Sequence, residues 1–379
     1  VNLRYYEGID DLDLFDDYNG ESGYLLFQPW PCGLNNVRQG LELAVCLSYL
    51  TNRTLVLPEY FTFWLIGRKR FFDFYSISGI KYELLDDFII RNNFNKWRID
   101  DEYFSLHRGE IPREIHIVKT TKDLIDDIHS SVIYDEIPPP DNSFIRNRNV
   151  INLSNLIPSD QKIVYFHQNL FGIYYQMIYT PRNSKLKRLI SKHVRPSDSC
   201  FNEAERLIDL IGDKSYYSIH IRRYDFQYRE TLITPGEIIE RISSEIPLGS
   251  KLYIATDFKY NIEDPLSSTS KNQDATDLDF FNEFTEKYDV TFMKDITDHE
   301  TDITPVVEQL ICTRGIKFYN QHPSTFSCYI FRMRGIMGDV DSKYYDIVDG
   351  SHENLQKGFT EHVGSWSSWS REFKDAWDF

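Results

Sequence analysis

Short apolar runs and helically spaced apolar stripes alternate along much of the chain. Tyr24-Leu25-Leu26-Phe27 reads as a strand, broken by Pro29, Pro31 and Gly33. Val37, Leu41, Ala44, Val45 and Leu47 then recur at helical spacing, and a strand at Leu55-Val56-Leu57 closes a strand–helix–strand unit. From about Phe61 to Arg195 charged clusters and turns such as Pro138-Pro139-Pro140-Asp141-Asn142 interrupt the pattern, leaving a basic helical stretch at Lys185 to His193. The alternation resumes after Arg195-Pro196-Ser197. It predicts helices at Asn202 to Ile211, Pro235 to Ser244 with Thr234 as cap, Leu278 to Tyr288, Thr304 to Thr313 and Thr325 to Met337. Between them it predicts strands at Tyr216 to Ile221, Lys251 to Ala255, Val290 to Met293 and Ile316 to Tyr319.

Strands alternating with helices imply an α/β fold whose parallel sheet places ligand loops at the carboxyl ends of its strands. A length of 379 residues fits two domains of ordinary size, with a cleft between them. The expected division is an amino-terminal domain over 1–194, a Rossmann-like carboxyl-terminal domain over 195–350, and a tail over 351–379. The tail carries Trp366, Trp369 and Trp377 and is expected to pack back on either domain.

Charge narrows the partners. A net charge of −16 opposes encounter with a nucleic-acid backbone or an anionic membrane, while a small phosphate ligand could still use a locally basic pocket. No run of 18 apolar residues exists, so no membrane span is expected. The chain begins at Val1 without a signal-like segment. An upstream signal, if removed, would place it in the secretory lumen, and otherwise it would be cytoplasmic. Five scattered cysteines form neither a disulfide framework nor a metal-ligand spacing. Two glycosylation sequons occur, at Asn52 and Asn152, and the acidic tract Asp10 to Asp17 reads as a solvated face.

Three segments could carry chemistry. His220-Ile221-Arg222-Arg223-Tyr224-Asp225 follows a strand expected to be buried, where a guanidinium can fork onto two diphosphate oxygens with Asp225 orienting Arg222. The structural alternative is a strand-end salt bridge of Arg222 or Arg223 with Asp225. Pro323-Ser324-Thr325-Phe326-Ser327 lies between strand and helix, so its first-turn N–H groups can meet an anion or Ser324 can simply cap. Gly33-Leu34-Asn35-Asn36 opens the first helix, with a glycine that permits close backbone approach and Arg38 one turn on. No phosphate-binding loop of Walker type, nucleophile elbow or zinc-protease motif is present. The triplets Asp11-Leu12-Asp13 and Asp277-Leu278-Asp279 follow no convincing strand, which argues against an Asp-x-Asp metal motif.

Together these segments resemble the GDP-fucose protein O-fucosyltransferase superfamily. Cys32-Gly33-Leu34-Asn35-Asn36-Val37-Arg38, running on to Asn52-Arg53-Thr54-Leu55-Val56-Leu57-Pro58, is similar to its first motif, including that of its plant branch. His220 to Asp225 resembles its His-x-Arg-Arg-x-Asp motif, and Tyr253-Ile254-Ala255-Thr256-Asp257 a recurrent strand end. Glu308 to Cys312 through Ser324-Thr325-Phe326 is similar to the branch that fucosylates thrombospondin repeats. The resemblance implies a GT-B glycosyltransferase with two Rossmann-like domains facing a cleft, an inverting mechanism, GDP-fucose as donor, a protein or glycan acceptor, and no required metal or cofactor. It assigns Arg222 to the β-phosphate and glycosidic oxygen, with Asp225 supporting it. Ser324, Thr325 and Phe326 would hold diphosphate and nucleoside, with His220, Arg223 and Asp257 beside them. Gly33, Leu34 and Asn35 would close from the other domain, and Glu308 would stand where the family has an Asp facing guanine. Cys32 replaces the Glu expected as acceptor base, which leaves Glu42, Glu59, Asp257 or the leaving phosphate to take the proton. Another nucleotide 6-deoxyhexose as donor, such as UDP-rhamnose, and a catalytically silent nucleotide-binding module are the alternatives.

Overall fold

The computed structural model describes residues 1–64, 66–94, 98–99, 107–108, 112–118, 131–133, 149–151, 160–166, 185–223, 232–257, 278–298, 301–321, 324–339 and 341–346. Among these, one compact unit is Tyr6–Ser197, and a second joins Val1–Tyr5 to the residues from Asp198 onward. The tail over 351–379 lies outside the described residues. No described helix is long and apolar enough to cross a membrane.

The first unit contains β1 (Tyr24–Phe27), α1 (Leu34–Leu50), β2 (Thr54–Leu57), β3 (Tyr82–Leu84), α2 (Leu85–Arg91), β4 (Ile115–Val118), β5 (Ile163–Phe166) and α3 (Lys185–His193). Its sheet has the order β3-β2-β1-β5-β4, parallel throughout. Leu26, Val56 and Tyr165 pack with Phe88 and Ile89 of α2 into one core, and the alternate positions Leu25, Leu55 and Val164 are buried too, which is why the central strands are apolar without alternation. α1 is buried on nearly every side, even at Arg38 and Glu42, whose Nε and Oε1 lie 2.9 Å apart four residues along the helix. The Arg38 guanidinium also donates to the Val194 carbonyl at 3.2 Å and lies over the Tyr75 ring.

One sequence expectation changes here, and one sequon is located. The acidic tract is not merely solvated: Asp13 pairs with Arg188 at 2.8 Å and Asp11 with Lys192 at 3.0 Å, both on α3. At the first sequon, the Asn52 carboxamide is built into a turn. It accepts from the Asn19 and Gly20 N–H groups at 2.8 Å and donates to Asn19 Oδ1. Asn152 lies outside the described residues.

The second unit follows the expected alternation through α4 (Asp198–Ile211), β6 (Tyr217–Ile221), α5 (Pro235–Ser243), β7 (Lys251–Thr256), α6 (Asn282–Lys287), β8 (Asp289–Thr291), α7 (Thr304–Thr313), β9 (Phe318–Asn320), α8 (Thr325–Ile336) and β10 (Ser342–Tyr344). The sheet order is β8-β7-β6-β9-β10, again parallel throughout. Ile219 and Ile221 of β6 pack with Ile238 and Ile242 of α5, Leu252 and Ile254 of β7 and Phe284 of α6. Thr234 caps α5 through a reciprocal capping box with Glu237. α4 starts a turn earlier than periodicity suggests. The expected strand over Val290 to Met293 stops at Thr291, because Asp295 Oδ2 accepts from the Phe292 N–H at 2.8 Å and opens a short helix, Met293–Ile296. The chain is thus a mixed α/β protein with parallel sheets, as the alternation implied.

Candidate functional site

The second sheet reverses its strand order at β6, with β7 on one side and β9 on the other. In doubly wound sheets ligands bind outside the carboxyl ends of the strands at that reversal. There the buried run of β6 ends and Arg222 begins, its side chain 28% exposed. The register pairs Ile221 with Thr256, so Asp257 emerges alongside. One Asp257 oxygen accepts from the Arg223 N–H at 2.7 Å, and the other lies 3.6 Å from Arg222 Nε. On the β9 side, Gln321 Oε1 accepts from the Arg222 N–H at 2.9 Å. The strand exit is therefore fixed from both flanks through its backbone N–H groups.

Arg223 is placed differently. Its guanidinium donates to the Ile233 carbonyl at 3.1 Å and lies 4.2 Å from the Phe280 ring centroid, which ties the strand exit to the segment before α5.

His220 is buried beneath this edge. Its Nδ1 meets Ser327 Oγ at 2.8 Å and its ring stacks on Phe326 at 4.4 Å. Both partners belong to the first turn of α8, whose cap Ser324 accepts from the Ser327 N–H. The first-turn N–H groups of a helix have no intrahelical acceptor, and the helix dipole makes that end attractive to anions. Thr325 is buried with Ser324. The Phe326 carbonyl accepts from buried Gln309 on α7 at 3.0 Å, next to Glu308. Glu308 is half-buried in mid-helix and accepts from the Tyr253 hydroxyl at 3.2 Å.

Direct contacts thus bring together Arg222, Arg223 and Asp257, and separately His220, Ser324, Phe326 and Ser327, on adjoining strand ends of one unit. Asp225 lies outside the described residues. The carboxylate seen against Arg222 is Asp257, whose position depends on register. Gln321 went unnoticed in the sequence, where a polar residue directly after a buried strand was the available signal.

Burial, with the Arg222 charge adding to it, pulls the His220 pKa down to about 3. Burial likewise takes His193 down to about 4. An unfolded histidine titrates near 6.5, so below that pH the unfolded chain takes up protons that the folded chain refuses. Stability is full above pH ~6.5 and is lost as the pH falls toward the two folded values. The melting temperature is expected to fall between pH 7 and pH 4.5, less steeply in His220→Gln, and a flat wild-type profile would contradict the neutral, buried imidazole.

Gly33, Leu34 and Asn35 belong to the other unit. Gly33 precedes α1 at φ −58° and ψ 148°, a conformation open to any residue, and a Cβ there would meet nothing within 4 Å. Its lack of a side chain leaves open space beside the backbone rather than relieving strain. Leu34 and Asn35 are buried in the first turn.

Of the residues weighed as acceptor base, Glu42 is fully buried against Arg38, which closes it to a substrate hydroxyl. Glu59 pairs at the surface with Arg70 at 3.1 Å. The Cys32 thiol donates to the Trp30 carbonyl at 3.2 Å, and burial pushes its pKa up, which disfavours the thiolate. Cys32→Ala is accordingly expected to leave turnover within about threefold of wild type, since only small packing changes follow; a hundredfold drop would give the thiol a chemical role. Among the described residues no group of three or more His, Cys, Asp or Glu is arranged to hold a metal.

The family model described as GDP-fucose protein O-fucosyltransferase matches residues 24–337. No curated protein sequence matches significantly. Among solved structures the fold is similar to POFUT1 in complex with GDP, at 13% identity over 86% of this chain and 99% of that one, with a TM-score of 0.49. It is also similar to a FUT1 mutant from Arabidopsis thaliana in complex with GDP, at 12% identity over 90% and 72% of the two chains and a TM-score of 0.43. The fucosyltransferase NodZ from Bradyrhizobium matches at 14% identity over 82% and 92%, with a TM-score of 0.44. On the family match, which takes in both the Gly33 turn and the Arg222 and Ser324 segments, this chain is a glycosyltransferase that belongs to the GDP-fucose protein O-fucosyltransferase family.

Proposed function

We propose that this chain is an inverting, metal-independent transferase that moves L-fucose from GDP-fucose to a Ser or Thr hydroxyl of a protein or to a glycan hydroxyl. The observation that carries the reading is the Arg222 guanidinium, held by Asp257 at the strand-order reversal beside the Ser324-capped start of α8. Breaking the bond from the anomeric carbon to phosphate builds negative charge on the leaving GDP and positive charge on the sugar. A fixed guanidinium and first-turn N–H groups stabilise that separated charge more than the intact donor. The acceptor oxygen attacks the anomeric carbon from the opposite face, which inverts it. With Cys32 and Glu42 buried, the hydroxyl proton is left to Glu59, to Asp257 or, where a dissociative transition state permits, to the leaving phosphate. The cation a metal would supply comes from Arg222. Glu308, steadied by Tyr253, offers a carboxylate able to accept from guanine N1 and N2.

Calorimetric titration with GDP and UDP tests the donor: GDP is expected to bind at least tenfold more tightly, and a preference for UDP would exclude the fucosyl reading. Turnover is expected to survive a chelator unchanged. Activity abolished by chelation and restored by manganese would overturn the metal-independent mechanism.

A further inference from the structure

We infer that Gln321 is a further donor-binding residue, whose Nε2 donates to the diphosphate of the nucleotide sugar beside Arg222; this rests on the reading of the Arg222 edge as a nucleotide-sugar site. Gln321 directly follows β9, the strand hydrogen-bonded to β6, so it stands at the same carboxyl edge as Arg222 and three residues before the Ser324 cap. Its residue exposure is 2%. Oε1 accepts two hydrogen bonds, from the Arg222 N–H and from the Tyr345 hydroxyl, both at 2.9 Å. A backbone N–H can only donate, so turning the amide over would set an NH2 group against it. The carboxamide is therefore locked, and its nitrogen has no partner among the described residues.

A nearly buried NH2 group without an acceptor is costly, and a native fold retains one where a ligand or water supplies the acceptor. The acceptors that suit this edge are phosphate oxygens, because the Arg222 guanidinium and the first-turn N–H groups of α8 favour negative charge in the same place. A neutral amide adds directed hydrogen bonds without further charge. The oxygen that accepts from the Arg222 N–H also fixes which way round the amide sits, leaving Nε2, among the described residues, as its free donor at this strand edge.

The test is GDP titration together with thermal melting of wild type, R222A, Q321E and Q321M. Gln321→Glu keeps both accepted hydrogen bonds and is expected to melt with wild type, yet its Kd for GDP should rise about tenfold to a hundredfold, the worth of a hydrogen bond to a charged group. Gln321→Met removes the donor without adding charge and should also weaken GDP at least tenfold. Wild-type affinity in Q321E overturns the proposal. So does wild-type affinity in Q321M with weakening confined to Q321E, because repulsion alone then explains the loss. Should Q321M not fold, Gln321→Ala takes its place as the uncharged variant without a donor, and wild-type GDP affinity in it overturns the proposal. A wild-type chain that does not bind GDP sinks the nucleotide-sugar reading itself, whereas GDP weakened by R222A and untouched by Q321E sinks only the role of Gln321.

Discussion

Arg222→Ala is expected to lower the turnover number for fucosyl transfer by about 10² to 10³, the usual cost of losing one preorganised donor to developing charge. The intact donor already carries a charged diphosphate, so GDP affinity falls as well. The larger loss is in kcat, because the full leaving-group charge exists only once the sugar–phosphate bond is breaking. The fold should survive. The side chain is partly exposed, its 3.6 Å pair with Asp257 resembles a surface ion pair worth at most about 1 kcal/mol, and the Arg222 N–H to Gln321 persists in alanine. Arg222→Lys should recover part of the rate, since it restores charge without the two-pronged geometry. Release of GDP from saturating donor and acceptor is the measurement. An R222A chain that turns over at the wild-type rate would remove this residue from the mechanism.

The reasons Arg222 could be found in the sequence are also the reasons its partners could not. A strand buried on both faces shows as an unbroken apolar run, so the change from Ile219 to the polar group after Ile221 marks a strand end without any knowledge of the sheet. Cross-strand neighbours follow from register, which periodicity does not encode. The nearest carboxylate in sequence, Asp225, lies outside the described residues, and the pairing of Ile221 with Thr256 brings up Asp257 beside Arg222. Gln321 reaches Arg222 across 99 residues by the same route. In the first unit, β3, β4 and β5 are four residues or fewer among charged segments, too short to show a period, and they are strands because β2, β5 and β1 respectively offer edges to pair with. The Arg38 to Glu42 pair, by contrast, has helical spacing visible in the sequence. What the sequence hides is its complete burial, which is what removes Glu42 from the list of bases.

Arg334→Leu is expected to destabilise the carboxyl-terminal unit by about 3–5 kcal/mol, the range found when a buried charged network loses its central member. Arg334 lies on α8 and is fully buried. Its guanidinium donates to the Thr313 carbonyl at 2.9 Å, the Gly315 carbonyl at 2.7 Å, the Asp341 carbonyl at 3.1 Å and Ser342 Oγ at 3.0 Å. Burial lowers its pKa, yet a guanidinium starts so high that it stays charged, and the carbonyl dipoles compensate for lost water. Leucine fills part of the volume but removes the Arg334 donors from the Thr313 and Gly315 carbonyls, each worth about 1–3 kcal/mol before local relaxation admits water, while the Asp341 carbonyl keeps the Phe318 N–H. The same residues explain why the damage should reach the site. The oxygens belong to the end of α7, the turn into β9 and the start of β10, and at Gly315 a Cβ would fall 2.4 Å from Ser218 Oγ on β6. β9 is thus seated on β6 through a turn that tolerates no side chain, and Arg334 closes it from behind. Releasing that clamp lets β9 move against β6, and with it Gln321 against Arg222. Urea unfolding should show the lower midpoint, and GDP affinity should drop in the folded fraction that remains. A variant within about 1 kcal/mol of wild type would mean that water replaces the guanidinium at those carbonyls and that the clamp is not what seats the two strands.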